Sequence, residues 1–204
     1  MKYLPVLLLM VLVIFTLKPK EKPIQTLNQN DTILAFGDSL TYGYNAKENE
    51  SYPAVLSHLS GYEVINEGIL GETSHEGLRR ISPLLEDENI KLMILLFGGN
   101  DIMQGLSMED LKSNLKTMIR MAKEKRIDVL LVSVPNLSIF GLSPLELYEE
   151  VAEEEGVPLL SGMMADILES PSLKSDQIHP NAKGYAMMAE IIYEKLKEEG
   201  WLKN

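Results

Sequence analysis

Five short apolar runs punctuate the chain: "TILAF" (32–36), "YEVIN" (62–66), "KLMILLF" (91–97), "DVLLVSV" (128–134) and "VPLL" (157–160). They are rich in Val, Ile and Leu and too apolar to keep one face wet, which predicts buried strands. Amphipathic stretches separate them at about 52–60, 74–88, 107–125 and 144–156, and another at about 181–199 precedes Gly200. Within 107–125, Leu111, Leu115, Met118 and the Met121–Ala122 pair share one side, while Lys112, Lys116, Lys123 and Glu124 lie elsewhere. That is the 3.6-residue period of a helix. Apolar strands, each followed by a crossover helix, predict a parallel sheet covered on both faces. The expected fold is therefore α/β, a three-layer α/β/α domain with about five parallel strands. In such a sheet the functional crevice lies at the carboxyl ends of the strands.

The N-terminus follows a different pattern. After Lys2, an almost unbroken apolar run extends from Tyr3 to Leu17. Fifteen helical residues span roughly 22 Å, short of a ~30 Å bilayer core, so the length suits a signal-type segment. No small-residue cleavage site follows it. Instead Lys18, Lys20 and Lys22 could snorkel and extend a short anchor. We read residues 1–17 as a secretion signal that can remain as a membrane anchor, 18–31 as a polar, proline-containing linker, and 32–204 as the domain. The expected location is extracytoplasmic, periplasmic or secreted.

Composition narrows the partners. The net charge is −11, and such a surface repels a polyanion, so nucleic acid is not an expected partner. Much of the excess lies in "LELYEEVAEEEG" (145–156), which reads as a solvated helix face. The chain has no cysteine, hence no disulfide, thiolate nucleophile or Cys-ligated zinc. Three histidines and no H-E-x-x-H motif leave little to hold a metal, and no cofactor is expected.

Polar loops follow the predicted strands. "GDSLTYG" follows the first, "NEGILGETS" the second and "GGND" the third, while "DQIHPN" precedes the last helix. A bare turn accounts for the glycines of "GDSLTYG", and an N-cap for its serine. Taken together, the loops supply what acyl transfer needs. A serine hydroxyl becomes nucleophilic when a histidine takes its proton and a carboxylate holds that histidine's tautomer. The resulting oxyanion requires preorganised N–H donors. Ser39 sits where a strand turns into the next segment. Gly71 can bring its N–H close to a ligand because it lacks a side chain. Asn100 offers an amide on a turn made by Gly98 and Gly99, and Asp176 and His179 lie three apart, within reach across one turn.

"FGDSLTYG", "GETS", "GGND" and "DQIHP", in this order, resemble the four blocks of the GDSL or SGNH hydrolases, especially the bacterial thioesterase I, lysophospholipase and arylesterase branch. The resemblance covers about 31–200. It implies a flavodoxin-like sheet, Ser39 as nucleophile, and Asp176 and His179 as the other triad members. It also implies an oxyanion hole made by the N–H groups of Ser39 and Gly71 and the side chain of Asn100. Thr41 stands two residues after Ser39, so the G-x-S-x-G elbow of the α/β-hydrolases is absent.

The expected substrate is an acyl ester or thioester. Ile102, Met103 and Leu106, with Leu137, Ile139 and Phe140, fall in loops that would border the cleft and could accommodate an acyl chain. Two other readings compete. One is a carbohydrate or cell-wall O-acetyl esterase, against which the 6% aromatic content speaks. The other is a non-catalytic binding protein on the same fold. Among neighbouring residues, Asp38 is expected to brace its loop and Asp101 to cap the turn after Asn100. His58 should lie near a helix end, and Tyr42 and Tyr44 could wall the cleft.

Overall fold

The computed structural model describes residues 25–203 apart from 139, 140 and 144. Five parallel strands form one sheet: β1 (Thr32–Gly37), β2 (Glu63–Gly68), β3 (Ile90–Leu96), β4 (Asp128–Val132) and, numbered after an intervening hairpin, β7 (Leu159–Leu160). Their spatial order is β2-β1-β3-β4-β7, the flavodoxin-like arrangement. The central strands are the most apolar in sequence, and every residue of β1 is buried. β2, which carries Glu63, Asn66 and Glu67, takes an edge and stays partly exposed. The hairpin itself, β5 (Asn136–Ser138) and β6 (Gly141–Ser143), is antiparallel and forms a separate small sheet.

Helices cover the main sheet. α2 (Tyr52–Ser60) and α7 (Met163–Glu169) pack against α8 (Ala182–Glu198), while α5 (Met108–Glu124) packs against both α3 (Ser74–Leu84) and α6 (Glu146–Glu155). Their ends are encoded locally. Thr73 and Glu76 form a reciprocal capping box on α3, Ser107 caps α5, and Asn181 accepts two N–H groups at the start of α8. α3 ends at Leu84, short of the expected 88, just past Pro83 and before the polar run 86–89. Two short helices, α1 (Ser39–Tyr42) and α4 (Gly99–Met103), begin directly after β1 and β3.

Two expectations change in detail. The acidic stretch 145–156 is not simply a solvated face, because α6 lies along the basic row of α5. Lys112 pairs with Glu150 (2.7 Å) and Glu154 (2.9 Å), Lys116 with Glu154, and Arg120 with Glu155 (2.7 Å). In the expected linker, residues 25–31 contain no helix or strand, yet Leu27 is buried and its N–H donates to the Trp201 carbonyl at 2.8 Å. Trp201 is also fully buried and donates through Nε1 to Asp128 at 2.9 Å. Residues 1–24, with the expected signal or anchor, lie outside the described residues. Among the described residues, no helix is long and apolar enough to cross a membrane.

Candidate active site

The strand order reverses beside β1, so a crevice opens at the carboxyl ends of β1 and β3. Ser39 is the first residue of α1, and its cap is Asp38, which accepts the Leu40 N–H at 3.0 Å. The serine is therefore not the N-cap. The flanking glycines have separate causes. A Cβ on Gly37 would come within 2.4 Å of the Leu96 carbonyl, whereas Gly43 ends α1 in the left-handed region at φ 89°. Gly68, at the end of β2, is pressed against the backbone of Tyr42, and a Cβ there would lie 2.0 Å from the Tyr42 nitrogen. Close approach of α1 to the ends of β1 and β2 thus sets the position of Ser39.

His179 reaches Ser39 from 140 residues away, with Nε2 at 3.0 Å from Oγ. Its Nδ1 lies 2.8 Å from Asp176 Oδ2 and 3.1 Å from Oδ1. Burial works against the Asp176 charge, but N–H donation from Ile178 and His179 and the imidazole itself outweigh it, holding the carboxyl below its ordinary range. An ionised carboxylate only accepts, so Nδ1 carries the proton and donates. Nε2 is left as the acceptor for the Ser39 hydroxyl.

Asn100 lies in α4, beyond Gly98 at φ 126°, where a Cβ would strike the Tyr148 hydroxyl at 2.2 Å. The Asn100 amide donates to the Glu72 carbonyl at 2.9 Å and approaches Asp38 Oδ2 at 3.3 Å. Its first bond ties Asn100 to the turn that carries Gly71, which has a left-handed φ of 73°. Among the described residues, neither the Ser39 nor the Gly71 N–H donates to a protein acceptor, so both are free to receive an anion.

Asp38 is the brace expected of it, but an unusual one. Burial, reinforced by the charges of Asp101 and Glu72 and opposed by the Leu40 N–H, raises its pKa from 3.8 to about 7. Asp101 does not cap its own turn. Its carboxylate accepts the N–H (2.9 Å) and hydroxyl (2.6 Å) of Ser74, tying α4 to the start of α3.

Residues 35–187 match the GDSL-like Lipase/Acylhydrolase family. The chain belongs to that family. It is similar to the Thioesterase 1/protease 1/lysophospholipase L1 of Escherichia coli, with 29% identity over 174 residues covering 82% of this chain and 84% of the relative. Identity to the Arylesterase of Vibrio mimicus is 28% over 177 residues, covering 82% and 88%. The crystal structure of TesA superposes with a TM-score of 0.75 at 26% identity, covering 83% of this chain and 99% of TesA. The psychrotrophic esterase EstA of Pseudoalteromonas sp. shares the fold, with a TM-score of 0.74 at 24% identity over 82% and 97% of the two chains. The protein is thus a serine hydrolase of acyl esters.

The hydrolase's cleft contains about 410 Å³ of space between atoms, part of it open to solvent, and Ser39, Asn100 and His179 line it. Of the residues expected to bind substrate, Met103 lines the cleft. Ile102 packs half-buried on the core, and Leu106 is exposed outside the cleft wall. Ile102 precedes Met103 within α4, and Leu106 lies beyond the end of that helix, past Gly105 with its left-handed φ of 65°. Phe140 and Ile139 lie outside the described residues. The wall is instead built by Leu40, Val134, Met164, Leu168 and Ile178. Met164 and Leu168, one turn apart on α7, were detectable from the i, i+4 apolar spacing of "GMMADILES".

Three further residues support the site, and of these Asn45 and Arg80 went unread in the sequence. Asn45, in the left-handed region at φ 65°, donates to Asp176 Oδ2 at 3.2 Å. The Tyr44 ring stacks obliquely on His179, 4.7 Å between centroids. Arg80 grips the buried Glu72 carboxylate with two 2.6 Å bonds, reaches Glu67 at 3.1 Å, and lies over the Phe36 ring. His58 is exposed in the last turn of α2.

Proposed function

We propose that the hydrolase cleaves acyl esters and thioesters of intermediate chain length through an acyl-enzyme on Ser39. The observation that carries this reading is the unbroken line Asp176–His179–Ser39 at 2.8 and 3.0 Å, ending in an apolar cleft. His179 Nε2 takes the hydroxyl proton as Ser39 Oγ attacks the carbonyl carbon. The oxyanion is received by the Ser39 and Gly71 N–H groups and by the Asn100 N–H that otherwise has only its long contact with Asp38. His179 then protonates the leaving alcohol or thiol. In the second half-reaction it activates a water, which releases the acid and restores Ser39.

The aliphatic and thioether walls suit an acyl chain rather than a sugar. Each buried methylene contributes up to about 0.8 kcal/mol, nearly fourfold in kcat/KM, until the cleft is full. A panel of p-nitrophenyl esters and acyl-CoA thioesters should show kcat/KM rising beyond acetyl and then levelling. Met103→Ala should flatten the rise, and Ser39→Ala should abolish both turnover and fluorophosphonate labelling. Turnover by Ser39→Ala, or a profile falling steadily from acetyl with acetate released from acetylated glycan, would overturn the proposal. Export by residues 1–17 forms part of it and rests on the sequence of that segment. Soluble cytoplasmic protein that retains Met1 would refute it.

A further inference from the structure

Eight large apolar side chains are exposed among the described residues, and seven of them sit in the loops at the carboxyl ends of β1, β2 and β3. Tyr42 and Tyr44 follow β1, Ile69 and Leu70 immediately precede Gly71, and Met103 and Leu106 lead to Met108 at the start of α5. Only Leu59 lies elsewhere, at the carboxyl end of α2. Scattered exposed aliphatics need no explanation, but this set is concentrated on the end of the sheet where the cleft opens. Several members are about half exposed: Tyr42 at 52%, Leu70 at 48%, and Met103, which also lines the cleft, at 48%.

We propose that this rim is a docking surface for a zwitterionic lipid aggregate, so that the cleft opens directly onto the layer from which acyl chains enter. Its composition favours lipid over protein. Ile, Leu and Met predominate, accompanied by Tyr, which suits a boundary between apolar and wet surroundings. Arg and Trp, the usual anchors of protein interfaces, do not occur in the three segments that carry the rim, 38–47, 69–73 and 98–108. A net charge of −11 disfavours anionic lipid, so a zwitterionic surface is the fitting one. The apolar residues 3–17 are a poor occupant. The described chain begins at Gln25, whose N–H meets Asp128 at the amino end of β4, opposite the cleft. The rim's apolar wall continues into the cleft, so the proposal takes its acyl substrate from the function proposed above, but its test does not depend on turnover.

The absence of cysteine allows a position-specific experiment on the full chain. Ile69→Cys and Leu59→Cys, each in the Ser39→Ala background so that no lipid is consumed, are labelled with an environment-sensitive fluorophore and mixed with phosphatidylcholine vesicles. The label at position 69 should brighten and shift to the blue, while the label at 59 stays unchanged. Met108→Asp in the otherwise wild-type chain should leave hydrolysis of soluble p-nitrophenyl acetate unchanged. It should lower hydrolysis of vesicle-borne ester about threefold, the effect of withdrawing from lipid one side chain that is 37% exposed. No response at 69, or a response at 59 alone, overturns the proposal. A label at 69 that is already blue without lipid assigns the rim to residues 3–17. A response that grows with protein concentration alone assigns it to a second copy. Either result overturns the lipid reading.

Discussion

Replacing Asp38 by Asn should change how the stability of this hydrolase depends on pH. The carboxyl is buried and its pKa is raised from 3.8 to about 7. Between those values the native state keeps a proton that the unfolded chain has released, so stability falls as pH rises from about 4 to about 7 and is level beyond. At 1.36 kcal/mol per pH unit, the full interval amounts to about 4 kcal/mol. Asn keeps an amide oxygen for the Leu40 N–H but does not ionise, so the variant lacks this slope. At roughly 2–4 °C per kcal/mol for a domain of this size, the gain in Tm of Asp38→Asn over wild type should be about 8–16 °C larger at pH 8 than at pH 4. Thermal unfolding of both proteins at the two pH values measures this difference, and other titrating groups cancel between them. If the variant loses stability as steeply as wild type, Asp38 is not the group that holds the proton.

Two further substitutions test the other side of the cleft. Asn100→Ala should lower kcat by about 10²–10³ with little change in KM, the usual cost of one oxyanion donor. A rise in KM alone would instead make Asn100 a substrate-binding group. Arg80→Ala leaves the buried Glu72 carboxylate without its two 2.6 Å partners, so it should destabilise the protein by about 3–5 kcal/mol. Because the Glu72 carbonyl holds Asn100, kcat should fall further than KM rises. Arg80→Lys should recover part of the stability without the two-pronged grip, and unchanged denaturation and kinetics in Arg80→Ala would refute the positioning role.

The strands and long helices were legible in the chain because each depends on neighbours within a few residues. β1, β3 and β4 announce themselves by unbroken aliphatic runs, and α5 by its 3.6-residue period. The short helices were not legible. α1 and α4 have only four and five residues, too few for a period, and exist because Gly37, Gly68 and Gly98 let backbone or the Tyr148 hydroxyl come close. The β5–β6 hairpin is similarly brief, whereas α7, which supplies two of the cleft walls, left only the i, i+4 pair Met164 and Leu168 as its signal.

At the site, the sequence by itself determined which groups were available: a serine after the first strand, an amide after the third, and a carboxylate and imidazole three residues apart. Whether Ile102 and Leu106 faced the cleft depended on the direction of a single short turn, and composition carries no direction. Nor could sequence reveal that Arg80 steadies Glu72, that Asn45 turns to meet Asp176, or that Asp38 keeps a proton near neutrality. Each follows from burial or from contacts between separate elements. Ser39 and His179 are 140 positions apart, and no local rule relates them. They meet because the fold brings the carboxyl end of β1 and the loop before α8 to the same end of the parallel sheet, a consequence of how the whole core packs.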